Sequence, residues 1–356
     1  MSGLNPDPKT QNGPQPEPPP TRPGRAWAGV IILLAFLLLG SAGWLAGYAF
    51  TPSGRNTEST VLIPRGAGVR KIAAILAQEG LPADDIRFPA LARLTGTAGR
   101  LRAGEYLIPP RQTPLQILRL LERGEVIRHQ VTIPEGLTLV QVADILEKDG
   151  WIDRQQFLES ASDPELINSL GFIALPNLEG YLFPDTYVLT RGDTTEKNII
   201  VMMVNRFQEV WQALVDQHHP DMPRHAVITL ASIVEKETGS AAERPLIARV
   251  FLNRLAENMR LQSDPTVIYG LDEFNGNLTR AHLQQENPYN TYVIKGLPPG
   301  PICNPGRAAI EAVLEPADAP YLYFVSKNDG THFFSTTLRE HNKAVRQFQK
   351  KRRNRP

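Results

Sequence analysis

The sequence predicts an α+β protein that is held by a single N-terminal membrane-spanning helix. Three observations lead to this fold class. A long uncharged apolar run lies near the N-terminus, a strand–turn–helix pattern occurs twice in the first half, and helical periodicity dominates the remainder up to a final β-hairpin. With 356 residues, the chain is long enough for one or two domains with attached segments.

The composition excludes several functional classes. The formal net charge is +1, so the overall field favours neither nucleic acid nor another strongly charged partner. Cys303 is the only cysteine, which rules out an intramolecular disulfide and a thiolate metal cluster. It lies in a loop rich in Pro and Gly, and we interpret it as structural. No His/Asp cluster has metal-ligand spacing, so we expect neither a metal nor a cofactor.

The N-terminal region predicts a tail and a membrane span. Residues 1–25 are rich in Pro, Gly, Asn and Gln, which predicts a disordered cytoplasmic tail. Residues 26–50 are uncharged and match the ~20 residues that cross a bilayer. Trp27 and Trp44, near the two ends, are typical of interfacial aromatic residues. The alternative is a cleaved signal peptide, but this apolar run is longer than such peptides carry.

The orientation of the span is predicted from length. Arg25 precedes the span and Arg55 follows it, so the count of positive charges on the two sides decides nothing. A short polar tail before the span and a large domain after it favour a cytoplasmic N-terminus. We therefore expect the rest of the chain on the outer side of the membrane.

An internal repeat organises the first half of the chain. Residues 61–66, VLIPRG, correspond to residues 131–136, VTIPEG, and both copies end at a glycine, Gly80 or Gly150, at the same spacing. Each copy predicts a short strand, a turn and an amphipathic helix that is ended by the glycine. Between the copies, residues 104–108 predict a strand and a second helix follows, so the first unit is expected to be β-α-α-β-α.

This first unit, residues 56–128, resembles the small LysM fold, which binds N-acetylated sugar polymers. The alternative is a compact α/β spacer that holds the second half away from the membrane. The residues leave both interpretations open.

Residues 225–239 predict the helix that carries the candidate catalytic residue, Glu237. Three apolar residues fall on one face, and Glu237 continues that face at i+7; the three are Leu230, Ile233 and Val234. Burial and the negative end of the helix dipole both disfavour a charged carboxylate there. Both effects raise the expected pKa of Glu237, as a general acid requires.

The neighbours of Glu237 allow another interpretation. A glutamate at a helix end can instead form an ion pair, and Lys236 and Arg244 are close in sequence. Glu235 lies roughly 200° around the helix from Glu237, so the two are not expected to act as a pair. Residues 240–243, SAAE, match a capping box that would open the next helix. The two helices would then meet beside Glu237, where clefts commonly form.

Two polar loops and a hairpin follow. The loops, residues 260–270 and 287–306, combine Tyr, Asn, Gln and Pro, which suits carbohydrate binding but also ordinary turns. The hairpin is predicted from two β-rich runs around the turn at residues 328–330. We interpret His332, on its second strand, as a structural histidine.

The motifs IVEKET, RLQSDPTVIYG, YNTY, GLPPGPICNPG and YLYFV, in this order, resemble those of the endolytic murein transglycosylase (YceG-like) family. The resemblance extends from about residue 57 to 347. It implies a LysM-like subdomain and a mostly helical, lysozyme-like catalytic domain over residues 129–350. It also implies that Glu237 is catalytic. Gln262, Tyr289 and Asn290 resemble cleft-lining residues, and with Asp264 they form the predicted substrate-binding set.

The resemblance implies an enzyme of the inner (cytoplasmic) membrane, with its catalytic part in the periplasm or outside. The expected reaction cleaves MurNAc–GlcNAc bonds of nascent glycan strands, leaves 1,6-anhydro-MurNAc ends and terminates elongation. Glycan strands, the membrane and peptidoglycan synthases are the expected partners. Two alternatives remain: a lysozyme-like hydrolase with Asp264 as second carboxylate, and a non-catalytic peptidoglycan-binding scaffold of the elongation machinery.

Overall fold

The uncharged N-terminal run forms one continuous helix. In a computed structural model that describes Gly3 and residues 24–83 and 86–350, helix α1 spans Gly24–Phe50. Among these described residues it is the one helix long and apolar enough to cross a membrane, over Trp27–Phe50. The predicted disordered tail lies outside the described residues, apart from Gly3 and the first two residues of α1.

The chain divides into two compact units. The first comprises the described residues up to Arg102 together with Tyr106–Glu125, and the second comprises Ala103–Glu105 and the described residues from Val126 onward. After α1, the elements of the first unit are β1 (Ser59–Ile63), α2 (Val69–Gln78), α3 (Arg87–Leu94), β2 (Gly104–Ile108) and α4 (Pro114–Arg123). The β-α-α-β-α order predicted from the sequence is therefore confirmed.

The core of the first unit follows from strand alternation. Strands β1 and β2 form a two-stranded sheet. Every second residue of each strand is buried, because side chains alternate between the two faces. The apolar faces of helices α2 and α4 supply further buried residues, such as Leu76 and Ile117.

The internal repeat recurs as local structure. Gly66 and Gly136 have φ of 75° and 76°, and Gly80 and Gly150 both have φ of 70°. The residue after each of the latter glycines donates its amide to the carbonyl five residues earlier, which is the helix-ending arrangement known as the Schellman motif. The glycines predicted to end both helices do so because this motif requires a left-handed residue.

The second unit is mostly helical. Its first elements are β3 (His129–Thr132), α5 (Leu139–Lys148), α6 (Arg154–Ala161), α7 (Pro164–Ser169), β4 (Thr186–Leu189) and α8 (Glu196–Val215). Its later elements are α9 (Arg224–Glu237), α10 (Arg244–Ala256), α11 (Asp264–Tyr269), α12 (Arg280–Gln284), α13 (Arg307–Leu314), β5 (Tyr323–Ser326), β6 (His332–Ser335), α14 (Leu338–Val345) and a π-helical turn (Arg346–Lys350).

Two antiparallel strand pairs flank these helices. Strand β3 pairs with β4, with Thr132 opposite Thr186. Strand β5 pairs with β6, with Ser326 opposite His332. The predicted hairpin is thus confirmed, and Gly330 in its turn has φ of 88°, a conformation that favours glycine.

Helix α9 lies in the centre of the second unit. All residues from 227 to 234 are buried, and the helix packs against α10 and α13. Two buried hydroxyl side chains in this stretch donate hydrogen bonds to carbonyl groups of the same helix. Thr229 donates to the His225 carbonyl, and Ser232 donates to the Thr229 carbonyl. A helix buried on all sides has a fixed position, and so does Glu237 at its C-terminal end.

The start of helix α10 differs from the sequence prediction. The capping box predicted at residues 240–243 is wrong: Glu243 is the N-cap residue and its side chain makes no capping bond. Its carboxylate is engaged by His332 of the hairpin instead. The helix ends at Ala256.

Candidate active site

Glu237, the last residue of α9, lies at the edge of a cavity of about 480 Å³ in the second unit. Its lining comes from the end of α9, from α10 and α14, from the two polar loops and from the β5–β6 hairpin. The polar residues of its lining include Glu237, Arg254, Gln262, Asp264, Tyr292 and His332. The cavity therefore collects side chains that are far apart in sequence.

The carboxyl group of Glu237 is largely desolvated. Burial is the main cause that raises its pKa, to about 7, and the nearby Asp264 charge raises it further. The Ser263 hydroxyl, which donates to Oε1 at 2.5 Å, acts in the opposite direction, as do the charge of Arg254 and the protonated form of the His332 ring. Because burial outweighs the lowering effects, a substantial fraction of the carboxyl is protonated at neutral pH, and this form can act as a general acid.

Gln262 and Asp264 lie in this cavity, as the sequence predicts for residues of one cleft. Gln262 has φ of 51°, a left-handed conformation that is uncommon for residues other than glycine and concentrates at functional sites. Its backbone amide donates to the Thr291 carbonyl at 3.1 Å. Asp264 opens helix α11 and accepts a hydrogen bond from the Tyr292 hydroxyl at 2.6 Å.

A network of buried hydroxyls joins the two polar loops. The Ser263 amide donates to Thr291 Oγ1 at 3.0 Å, and Thr266 and Thr291 share a hydrogen bond of 2.8 Å between their hydroxyls. All three residues are buried. This network fixes the segment with Gln262 and Asp264 against the segment with Tyr292.

Tyr289 and Asn290 are not among the residues that line the Glu237 cavity. Asn290 is fully buried, and its amide nitrogen donates to the carbonyls of His282 and Gln285. Its oxygen accepts from the Tyr292 amide. The ring of Tyr289 packs against that of Tyr269, with centroids 4.8 Å apart. Their role in substrate binding stays a prediction, and the tyrosine of this loop that reaches the cavity is Tyr292.

Arg254 is a charged residue of the site that the sequence did not single out. Its guanidinium is buried, donates from Nε to the Leu322 carbonyl at 2.7 Å and from Nη1 to the Leu261 carbonyl at 2.6 Å, and lies over the Tyr323 ring. Among the apolar residues of α10 it looks like an ordinary surface arginine. It is enclosed by the loop of Leu261 and by the chain that returns at Leu322 and Tyr323.

Glu235 is directed to a different environment from Glu237. It accepts a hydrogen bond from the Gly306 amide at 3.0 Å and lies 3.5 Å from Arg244. The ion pair considered for the helix end is thus made by Glu235. Glu135 lies nearby, and burial and the Glu235 charge raise the pKa of Glu135. These two carboxylates and Glu237 line a second, smaller cavity of about 240 Å³.

Cys303 and the distribution of possible metal ligands also bear on the chemistry of the site. Cys303 is buried, its thiol donates to the Ser232 carbonyl, and burial raises its pKa, as expected of a structural cysteine. Among residues 24–83 and 86–350, no group of three His, Cys, Asp or Glu side chains is placed to hold a metal ion.

Comparison with known proteins identifies the family. A sequence model of the YceG-like family matches residues 61–347. A Bacillus subtilis (strain 168) protein named endolytic murein transglycosylase is 32% identical over 332 residues, covering 88% of this chain and 91% of its own. A protein of the same name from Streptococcus pneumoniae (strain D39) is 31% identical over 356 residues, covering 89% of this chain and 64% of its own.

A solved structure agrees with these relatives. The crystal structure of a YceG-like protein from Listeria monocytogenes is 34% identical, with a TM-score of 0.55 over 80% of this chain and 98% of that protein. The family model covers most of the chain, and the B. subtilis relative is 32% identical over 88% of it. The chain belongs to the YceG-like family.

Proposed function

We propose that this protein is a membrane-anchored lytic transglycosylase that cleaves peptidoglycan glycan strands. The enzyme class rests on the B. subtilis and S. pneumoniae relatives that are named endolytic murein transglycosylase. The observation that carries the mechanism is Glu237, a half-buried residue whose desolvated carboxyl has a pKa of about 7 and lines a polar cavity.

The proposed reaction uses Glu237 twice. Its protonated carboxyl donates the proton to the glycosidic oxygen between MurNAc and GlcNAc, and the C1–O4 bond breaks. The carboxylate then removes the proton of the C6 hydroxyl while O6 bonds to C1, which closes the 1,6-anhydro ring and returns Glu237 to its protonated form. Glycosidases that use water require two carboxyl groups flanking the bond, whereas here the substrate supplies its own nucleophile.

The other cavity residues are proposed to hold the sugars. Gln262 and Asp264 lie in the cavity beside Glu237, and Tyr292 donates to Asp264. Asp264 also raises the pKa of Glu237, after the larger effect of burial, and so helps to keep the acid protonated. Tyr289 and Asn290 are proposed to act next to this cavity, with Asn290 holding the loop that carries Tyr292.

The location and the biological role extend the proposal. Helix α1 is proposed to anchor the chain in the cytoplasmic membrane, with residues 129–350 as the catalytic domain on the outer side. Residues 56–128 are proposed to form a LysM-like subdomain, supported by the β-α-α-β-α order of this unit. An enzyme tethered there would meet strands as synthases release them, and cleavage would terminate their elongation.

The test is digestion of purified glycan strands by the full-length protein in detergent micelles, followed by mass spectrometry of the products. Wild type is expected to release fragments with anhydro ends. Glu237→Gln is expected to lower the rate at least about a thousandfold, because the amide cannot transfer a proton to the leaving oxygen. Glu257→Gln, an exposed glutamate beyond the end of α10, is the matched control and should keep wild-type activity.

Other products would support other functions. Reducing ends instead of anhydro ends would indicate a lysozyme-like hydrolase, in which Asp264→Asn should abolish activity. Binding of glycan without any product would favour the scaffold. Equal activity of wild type and Glu237→Gln would remove Glu237 from the mechanism.

A further inference from the structure

His332 presents its imidazole to the cavity that holds Glu237. It is the first residue of β6 and lies opposite Ser326 in the hairpin. Glu243, the N-cap residue of α10, binds it at two points. Oε1 accepts the His332 backbone amide at 2.9 Å, and Oε2 lies 2.7 Å from the ring nitrogen Nδ1. Both side chains are 13% exposed, so this pair is largely shielded from solvent.

The partner of Nδ1 determines what Nε2 can do. A carboxylate accepts hydrogen bonds, so Nδ1 carries the proton that points at Glu243, and Nε2 of the neutral ring is then an acceptor. Within residues 24–83 and 86–350, Nε2 has no hydrogen-bond partner. The ring plane is fixed as well, because Phe324 packs edge-on against it at 5.5 Å between centroids.

A purely structural role explains only half of this arrangement. The backbone bond from His332 to Glu243 already fastens the hairpin to the start of α10, and any residue except proline could make it. The bond from Nδ1 adds an orientation of the ring and a choice of tautomer. A carboxylate that orients an imidazole in this way is a recurring device for presenting the opposite nitrogen to a ligand.

We propose that His332 Nε2 accepts a hydrogen bond from a hydroxyl or acetamido N–H group of the glycan in the Glu237 cavity, and that Glu243 is its positioning residue. The inference rests on the proposed function, since it names a substrate contact of the same site. Sugar hydroxyls and N-acetyl groups are donors of the required kind. The hairpin then supplies a substrate-binding residue in addition to forming part of the cavity wall.

Binding of peptide-free glycan strands tests the inference without turnover. Full-length protein carrying Glu237→Gln is the parent, and calorimetry in detergent gives the affinity of each second variant. His332→Asn keeps an amide near the Nδ1 position but has no atom at Nε2, and we expect affinity to fall about five- to tenfold. His332→Gln reaches the Nε2 position and should stay within about threefold of the parent. His219→Asn, an exposed histidine, is the matched control and should bind like the parent.

The order of the variants is decisive. If Nε2 contacts the glycan, His332→Gln must bind glycan more tightly than His332→Asn. If the ring serves only to hold the hairpin through Nδ1, His332→Asn should bind more tightly. Equal affinities for Asn and the parent, or a parent that binds no glycan, would also overturn the inference. The proposed function fails separately, if wild type produces no anhydro ends.

A second measurement keeps the native histidine. Spectra of the parent labelled with ¹⁵N-histidine, recorded with and without glycan, report on each ring nitrogen, and His332→Gln assigns the His332 signals. Hydrogen bonding to Nε2 shifts its resonance. An unchanged Nε2 resonance in the presence of saturating glycan contradicts the contact, even if His332→Asn proves too unstable for calorimetry.

Discussion

The carboxyl group of Glu237 connects the pH dependence of the reaction to the burial of one residue. Its pKa of about 7 is raised chiefly by desolvation and additionally by Asp264. Only the protonated form can donate to the leaving oxygen. We therefore expect kcat/KM to be level below about pH 6 and to fall about tenfold per pH unit above pH 7. Initial rates between pH 5 and pH 9 measure this limb.

Asp264→Asn is the internal check on that assignment. Removing the Asp264 charge lowers the pKa of Glu237, because that charge opposes its ionisation. The falling limb should then move to lower pH, whatever happens to the maximal rate. A limb that keeps its position in this variant would mean that another group controls it.

Glu179 is a second buried carboxyl, with a structural consequence. Burial raises its pKa to about 7, although it accepts hydrogen bonds from the Leu139 amide at 3.0 Å and the Tyr269 hydroxyl at 3.3 Å. Below pH 4.5 the folded and unfolded states both bind the proton. Between about pH 4.5 and pH 7 only the folded state retains it, so the free energy of unfolding falls over this window by about 2–3 kcal/mol.

Glu179→Gln is expected to remove this pH dependence. The amide oxygen can still accept from Leu139, and no charge forms at any pH. Relative to wild type, Tm of the variant should rise steadily from pH 4.5 to pH 7 and then stay level. Thermal unfolding in detergent across this range measures the difference, and a constant offset at all pH values would contradict the raised pKa.

Single residues were predictable where a local pattern carried the signal. Glu237 follows an apolar face at helical spacing, and both its burial and its raised pKa could be expected from that position. Ser263, Arg254 and His332 could not be assigned to the site in this way. Their surroundings depend on loops and a hairpin that reach the cavity from distant parts of the chain. Local periodicity carries no information about such contacts.

At the scale of elements, the packing of α9 depends on close approach by its neighbours. Gly180 has φ of 85°, and a Cβ atom there would lie 2.4 Å from Pro301 Cγ and 3.2 Å from Ile228 Cγ2 of α9. Real side chains do not approach so closely, and the proline ring cannot rotate away. The segment before β4 and the loop of Pro301 therefore pack against the central helix only with glycine at position 180.

Gly180→Ala is expected to destabilise the protein by about 3–5 kcal/mol through this clash and the positive φ together. Gly171→Ala is the matched control, since Gly171 has φ of 80° but open space around its Cβ position. It should cost only about 1–2 kcal/mol. Denaturant unfolding of both variants separates the two effects, and equal losses would show that packing contributes nothing at position 180.

Element boundaries were predictable where the ending signal is local. The glycines at 80 and 150 end their helices because a left-handed residue is needed there. The start of α10 was mispredicted for the opposite reason. The spacing of Ser240 and Glu243 fits a capping box, but Glu243 makes two bonds to His332 on a strand that is distant in sequence. The Glu243 carboxylate thus binds a residue that is distant in sequence instead of capping the helix.

At the scale of the whole molecule, the acid–base groups and the apolar helix belong to different units. Most of the acid–base groups described here belong to the second unit, whereas α1 belongs to the first. If α1 anchors the chain as proposed, the enzyme meets glycan near the membrane surface. Its activity in cells should therefore depend on whether α1 remains attached and inserted.

Membrane anchoring by α1 is testable at the centre of the helix. Leu38 and Leu39 are exposed on the described helix, and replacing both with Arg places two charges near the bilayer midplane. Each costs about 2.5–3.5 kcal/mol on insertion. We expect wild type to stay in the membrane pellet after carbonate extraction and the double variant to be largely released or degraded. Leu62→Arg, an exposed leucine of β1 outside the span, should behave like wild type.

The intact mass of the extracted protein distinguishes an anchor from a cleaved signal peptide. The full-length mass supports the anchor, and a mass that lacks the residues up to the end of α1 contradicts it.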